Sequence, residues 1–505
     1  HVPSVYHIGS SPGRASRSVD RGPSPSYVSS GMSPVLIAFL AYLAAVLVAG
    51  VVTYRLNNTQ EDFLLAGRRL NVWVATFSER ASGESAWLLL GFPAAAMTTG
   101  LVKSWDALGC VIGIIAAWFL VAEGLRRETE RLGALTLPEY FARRFGDQAM
   151  AIRIVATLTI VFFYAFYVAA QFKGSGSILK VTFGIEEETG IIIGAVIIIL
   201  YTMAGGFFAV AWTDFIQALI MIGTLVVLPI VGIYELSSRD LALTAGLQGN
   251  QASWTNGLTG GAAAVAVISG LSWGLGYAGQ PHTVTRFMSI DRAESIRVGR
   301  WIAAAWAIPA FAGALAIGVV GAGLYESGQL ENSELLMPTL ATDLLPGWVA
   351  GIFISGAVAA MMSTADSQLL VGTSAVAEDL YHRGFGRKLT QSQLVTLSRV
   401  VTVGMGLSGF LLAVTSETLI FGLVDYAWAG LGACFGPALL LTLHWKKTSG
   451  VGVLAGMVVG TASTVIYSQF FPELDAIVTV RLVSFVLATA TIVAGSLIFP
   501  GATKT

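Results

Sequence analysis

The sequence predicts an all-α, polytopic membrane protein, and three observations carry that prediction. The first is composition: only 12% of the 505 residues are charged, 55% are hydrophobic and the mean hydropathy is +0.72. A soluble domain carries about 25% charged residues, so most of this surface must face lipid. The second is segment length. Thirteen stretches supply the roughly 20 predominantly apolar residues that a spanning helix needs: 34–54, 72–99, 106–123, 151–180, 189–207, 212–235, 261–281, 299–325, 347–374, 393–413, 417–444, 449–470 and 478–498. They are numbered helices 1 to 13 below. The third is charge alternation. Loops after odd-numbered helices hold nineteen Arg and Lys residues, among them Arg55, Arg68, Arg126, Arg286, Arg383, Arg387 and Lys388; loops after even-numbered helices hold four, Lys103, Lys180, Arg239 and Arg481. Positive loops stay on the cytoplasmic side, which places the N-terminus outside and the C-terminus inside a bacterial-type inner membrane.

The same composition narrows the function classes. A formal net charge of −1 provides no basic field for nucleic acid. Cys110 and Cys434 sit in apolar stretches and read as packing residues, since their spacing suits neither a disulfide framework nor zinc. No nucleophile–base pair and no metal cluster is evident, so no enzyme, no organic cofactor and no obligatory protein partner are expected. Residues 1–31, rich in Ser, Pro, Gly and Arg, lack the apolar core of a signal peptide. They read as an added leader, disordered and functionally silent, ahead of a single membrane domain over 32–505.

Two of the helices contain residues that break helices. Helix 2 carries Ala81-Ser82-Gly83-Glu84-Ser85-Ala86-Trp87 at its midpoint, and helix 7 carries Trp273-Gly274-Leu275-Gly276-Tyr277-Ala278-Gly279-Gln280-Pro281. Gly and Pro weaken a helix, and freed backbone groups at membrane depth must line a polar cavity. Interrupted helices at matching places in two halves mark the binding site of solute transporters. The breaks are five helices apart, so helices 2–6 (about 72–235) and 7–11 (about 261–444) form candidate inverted repeats, with helices 1, 12 and 13 peripheral. Glycines in membrane helices also serve close packing; that is the reading for Gly452, Gly456 and Gly460 of helix 12.

Charged groups at membrane depth cost ~2.5–3.5 kcal/mol or more each and need partners or a wet cavity. Glu79, Arg80 and Glu84 in helix 2, Lys173 in helix 4, Asp214 at the start of helix 6 and Asp366 in helix 9 are the candidates. Ser363, Asp366 and Ser367 share one helical face beside Thr364. Hydroxyls, a carboxylate and open backbone carbonyls make an all-oxygen set suited to a small hard cation; the alternative is a Ser/Thr face bonding its own i−4 carbonyls. Asp214 has a second reading as an N-cap. Lys173 is expected either to pair with Glu84 across helices 2 and 4 or to snorkel outward.

With these motifs the chain resembles the solute:sodium symporter family, closest to its sodium/proline branch, from about Met32 to the last helix. The matching blocks include Phe63-Leu64-Leu65-Ala66-Gly67-Arg68, Ser85-Ala86-Trp87-Leu88-Leu89-Leu90-Gly91, Leu135-Thr136-Leu137-Pro138-Glu139-Tyr140-Phe141, Gly205 through Asp214, Trp273 through His282, Glu378-Asp379-Leu380-Tyr381 and Tyr426-Ala427-Trp428-Ala429-Gly430. The resemblance implies a five-plus-five inverted-repeat, LeuT-like core and symport of sodium with a small solute, proline being the expected one. It implies a sodium site of Ala81, Glu84 and Ala360 carbonyls with Ser363 and Thr364 hydroxyls. A second cation site would use Asp214, Ser363, Thr364, Asp366 and Ser367. Solute contacts would fall on Ser85, Ala86, Tyr167, Trp273, Tyr277 and Pro281, with Trp87 and Gln280 beside them. One position departs: where the branch has an aspartate two residues before Ser85, this chain has Gly83. Glu84 or Asp366 could substitute, or Lys173 could supply a fixed positive charge. A proton-coupled or differently selective transporter built on Glu84, Asp366 and Lys173 is the alternative.

Overall fold

The computed structural model describes residues 33–54, 60–204, 207–326, 328–386 and 390–500. The expected leader, the loop cations Arg55, Arg387 and Lys388, and Gly205-Gly206 of one matching block lie outside the described residues. What is described is helical, apart from an isolated parallel bridge between Leu70 and Ile290. Ten helices among the described residues are long and apolar enough to cross a bilayer, against thirteen expected; Pro34–Val46 and Trp87–Thr99 are shorter apolar helices. Trp87–Thr99 is short because helix 2 is cut in two.

Helix 2 runs as Val72–Gly83, loses regular structure at Glu84 and Ser85, and resumes through a π-turn at Trp87–Gly91 into Phe92–Thr99. Asn71 caps its start through a side-chain bond from the Trp73 amide, as an N-cap should. Helix 7 runs as Gly260–Leu271, tightens into a 3₁₀ segment at Ser272–Gly279, becomes extended at Gln280, and restarts with Pro at the first position of Pro281–Ser289. Proline suits that position because its missing N–H would have no helical partner there.

The bridge joins the two broken helices at one end. The Leu70 amide donates to the Ser289 carbonyl and the Asp291 amide to the Leu70 carbonyl. Arg68 and Arg126, both buried, reach the Met288, Ile290 and Asp291 carbonyls from the flanking loop and helix 3. Beside the break in helix 2 lies helix 9, Gly347–Ser374, whose buried face contacts helices 1, 2, 4 and 6. Helices 12 and 13, Gly450–Phe470 and Val480–Ile498, pack on each other and on helix 11, Ile420–His444. The small-residue seam there is close packing: a Cβ on Gly456 would come within 2.1 Å of Ile492, and one on Gly460 within 2.6 Å of the Ala433 carbonyl.

The helix 7 glycines serve close approach too. None of Gly274, Gly276 and Gly279 has positive φ. Instead a Cβ on Gly276 would lie 1.9 Å from Trp428 Nε1, and one on Gly113 of helix 3 only 2.3 Å from the Gly274 Cα. The irregular backbone is thus sealed between helices 3 and 11, where protein rather than lipid covers it.

Filling that contact should destabilise the protein. Gly113→Val is expected to cost about 1–3 kcal/mol, as overpacking does, seen as a lower thermal midpoint in detergent. Gly223→Ala, inside helix 6 where nothing lies within 4 Å of the added Cβ, should not lower the midpoint and should raise it if anything, since Ala favours helix over Gly.

Candidate functional site

Where the breaks meet, aromatic rings form a buried wall. Trp87 and Trp273 stack with centroids 4.7 Å apart and planes 7° from parallel. Tyr277 meets Trp428 edge-on at 4.7 Å, and Tyr167 lies 5.8 Å from the His282 ring and 6.5 Å from Trp428. Two backbone bonds fix the wall: Trp428 Nε1 donates to the Trp273 carbonyl at 3.0 Å, and Gln280 Nε2 to the Trp428 carbonyl at 3.1 Å. The Ala86 amide, released from its own helix by the break, donates to Gln171 Oε1 at 3.0 Å. Ser85 Oγ accepts from the Trp87 amide, and Pro281 is buried at the restart of helix 7. Thus Ser85, Ala86, Trp87, Tyr167, Trp273, Tyr277, Gln280 and Pro281 gather at the two breaks.

Some polar atoms in this wall have no partner among the described residues although they are buried: Trp87 Nε1, Trp273 Nε1 and Gln280 Oε1. A buried donor or acceptor left unpaired costs about 1–3 kcal/mol. With Tyr167 Oη, which is also unpartnered among the described residues, these atoms are hydrogen-bonding groups that the wall has to offer.

Oxygen atoms from helices 2 and 9 converge next to the wall. Ser363 Oγ donates to the Ala81 carbonyl at 3.0 Å and to the Ala360 carbonyl at 3.1 Å. Thr364 Oγ1 donates to the Ser82 carbonyl at 3.0 Å, and Ser82 Oγ in turn to the Ser363 carbonyl at 3.1 Å. Ala81, Ala360, Ser363 and Thr364 are therefore together at the end of the first half of helix 2, and Glu84 is the first residue past it. The Ser/Thr face bonds across to helix 2 as well as locally, so it is more than a back-bonded helix face.

One turn away is a buried ionic cluster. Asp214 Oδ2 accepts from Ser78 Oγ at 2.6 Å, Ser82 Oγ at 3.1 Å and Arg286 Nη2 at 3.1 Å. Arg286 also donates to Ser367 Oγ and to the His282 carbonyl, both at 2.5 Å, and Ser367 Oγ donates to Asp366 Oδ1 at 3.1 Å. Asp214 Oδ1 and Asp366 Oδ2 have no partner among the described residues. Two carboxylates thus face one guanidinium, leaving room for one more positive charge.

Three expectations change here. Asp214 is no N-cap, because helix 6 begins at Phe207, two turns earlier. Arg286 is no loop cation: it is fully buried in Pro281–Ser289, a polar half-helix that hydropathy alone cannot distinguish from loop. And Lys173 does not reach Glu84; its Nζ donates to the Ser416 and Thr418 carbonyls at 2.6 and 2.9 Å, in the link between helices 10 and 11. Glu84 has a nearer partner one helical turn back: Arg80 Nη1 lies 2.8 Å away and Tyr277 Oη 3.2 Å. Arg80 also forks onto Glu79, which accepts from Trp118 Nε1 as well. A Cβ on Gly83 would lie 3.4 Å from Thr283 Cγ2 and 3.8 Å from Arg80 Nη2, so this cluster lies beside the position of the missing aspartate. Sequence reasoning also missed Trp428 and Gln171; the former lay inside a matching block, the latter four residues beyond Tyr167.

Comparison with known proteins agrees with this architecture. The sequence profile of the sodium:solute symporter family matches residues 63–460. The sodium/proline symporter of Escherichia coli is 38% identical over 87% of this chain and 88% of its own length. The high-affinity proline transporter PutP of Bacillus subtilis is 36% identical over 84% and 90%. Among solved structures, a Na+-coupled sialic acid symporter in a substrate-bound outward-open state superposes with a TM-score of 0.73 at 20% identity, over 94% of this chain and 99% of that one.

Removing the shared guanidinium should be severe. Arg286→Met leaves two buried carboxylates facing each other and is expected to cost about 3–5 kcal/mol, the usual result of breaking a buried pair. Adding Asp214→Asn should recover part of that loss. Thermal unfolding of both variants checks this, and a wild-type midpoint in the single variant would contradict the assignment.

Proposed function

The chain belongs to the sodium:solute symporter family, and from that premise we propose that it couples inward sodium movement to the uptake of a small amino acid, proline, across a bacterial inner membrane, with its N-terminus outside. The observation that carries this reading is the meeting of two interrupted helices at an aromatic wall with unpartnered polar atoms, directly beside a cross-helix cluster of hydroxyls and carbonyls.

Sodium is held by the Ala81, Glu84 and Ala360 carbonyls and the Ser363 and Thr364 hydroxyls. All are hard oxygen donors, and the Ala81 and Glu84 carbonyls come from a half-helix C-terminus, which favours cations. The Asp214 and Asp366 oxygens, with Ser367, take a second monovalent cation, because Arg286 neutralises only one of the two carboxylates. Lys173 has no part in either site. Proline packs its ring at the edges of Trp273 and Tyr277 near Tyr167, with its ammonium against the aromatic rings. Its carboxylate takes the indole N–H groups of Trp87 and Trp273 and the N-terminal end of the second half of helix 2 at Ser85 and Ala86, where helix dipoles favour anions. Gln280 and Pro281 complete the wall. Each positive charge moved inward gains ~2.3 kcal/mol per 100 mV of membrane potential. Sodium must raise solute affinity, and by linkage the solute must raise sodium affinity equally.

Radiolabelled proline uptake into proteoliposomes, with and without an inward sodium gradient, tests the proposal. Sodium should accelerate wild-type uptake. Thr364→Ala and Asp366→Ala should each raise the sodium concentration for half-maximal uptake by about tenfold or more, the effect of ~1.4 kcal/mol in cation binding. Uptake driven by a pH gradient with no sodium present would replace sodium with a proton; unchanged sodium dependence in both variants would overturn the site.

A further inference from the structure

Helix 13 lies outside the expected repeats, yet one of its side chains reaches the solute wall. Arg481, the second residue of Val480–Ile498, places its guanidinium carbon 4.4 Å from the centre of the Trp273 ring. Trp87 stacks on that same indole at 4.7 Å with parallel planes. The two cannot occupy one face at these separations, so Trp273 is sandwiched between an indole and a guanidinium.

The rest of Arg481 is spent on the elements around Trp273. It forms an ion pair with Asp425 of helix 11. Its Nε lies 3.4 Å from Ser272 Oγ and its Nη2 3.5 Å from the Ser269 carbonyl. Ser269 and Ser272 are at the C-terminal end of Gly260–Leu271, where carbonyls run out of helical partners and a cation is favourable. The neighbouring Thr479 hydroxyl bonds Ser272 Oγ at 2.9 Å. Arg481 is 6% exposed, so these contacts act with little water between them. The count of loop cations had placed this arginine in the link after helix 12; its side chain is instead buried against the point where helix 7 changes course.

We propose that Arg481 is a positioning residue for solute binding: with Asp425 it forms a latch that holds the end of the first half of helix 7 and fixes the Trp273 ring at the angle at which it receives the solute. The inference rests on the preceding reading of Trp273 as a solute contact. It extends the site to a helix outside the repeats, and it ties helices 7, 11 and 13 together at one end of the bundle. Rearrangement of the helix 7 break must then loosen the Arg481–Asp425 pair.

The test is a double-mutant cycle in proteoliposomes. Arg481→Gln should raise the KM for proline about tenfold, the order of a desolvated cation–π contact, with maximal rate changed less than about twofold. Arg481→Lys keeps the charge but loses the fork and the planar stack, and should restore only part of the affinity. In a Trp273→Leu background the Arg481→Gln effect should vanish, since the ring it positions is gone. A second readout needs no solute. Maleimide labelling of Ser269→Cys, at the latched helix end, should be several-fold faster when combined with Arg481→Gln, as local opening predicts; the native Cys110 and Cys434 are buried. An unchanged KM in Arg481→Gln, or a KM effect that persists in full without Trp273, overturns the proposal. If the wild type takes up no proline, the solute reading above fails, and the labelling arm decides the latch: equal rates with and without Arg481 overturn it.

Discussion

A backbone amide or carbonyl inside a bilayer must find a partner within the protein, and this fold interrupts two helices at the place where that demand is hardest to meet. Everything near the breaks answers it. Gln171 takes the Ala86 amide, Ser363 and Thr364 take the Ala81 and Ser82 carbonyls, and Arg481 covers the carbonyl end of the first half of helix 7. The glycines of helix 7 let helices 3 and 11 close over the rest. The price of irregular backbone is thus met by side chains from helices 4, 9 and 13, and those side chains make the site.

Buried charge follows the same logic at higher stakes. Near the breaks the described residues form two ionic clusters, Glu79–Arg80–Glu84 and Asp214–Arg286–Asp366, each with two carboxylates and one guanidinium. In the first, Trp118 and Tyr277 add neutral donors and neither glutamate has an unpartnered oxygen. In the second, one oxygen on each aspartate is left unpartnered. That asymmetry separates a satisfied network, which ties helix 2 to Tyr277, from one that has coordination to offer. It also explains how the chain tolerates Gly83: the charge beside that position is carried by Glu84 and held by Arg80.

Much of this was legible in the sequence because it rests on local signals. The two interruptions show as Gly and Pro clusters inside apolar runs, and the breaks fall at Glu84–Ser85 and Ser272–Gln280. The face of Ser363, Asp366 and Ser367 follows from helical spacing alone. What failed depended on choosing partners across space. Lys173 and Glu84 were matched by charge, but Arg80, four residues from Glu84 on the same helix, is the cheaper partner geometrically. Arg286 was counted as a loop cation because a short polar half-helix looks like loop to a hydropathy window, and Arg481, though within 478–498, was counted with the link before it because it stands in the first turn of that helix. The number of spans suffers from the same window, which measures uninterrupted length.

Coupling between cation and solute needs no long relay in this arrangement. Residues 81–82 present carbonyls to Ser363 and Thr364, and residues 85–87 present a hydroxyl, a freed amide and an indole to the aromatic wall, all within one interrupted turn of helix 2. In the proposed sodium site, a cation drawn to those carbonyls would pull helix 9 and the first half of helix 2 together through shared oxygens. The second half begins only a few residues on, through Glu84 and Ser85. Glu84, at the hinge, holds Tyr277 of helix 7 by hydrogen bond, so the displacement reaches the other broken helix as well. Cation and solute therefore bias the same short piece of backbone, which is the condition under which each must raise the affinity of the other.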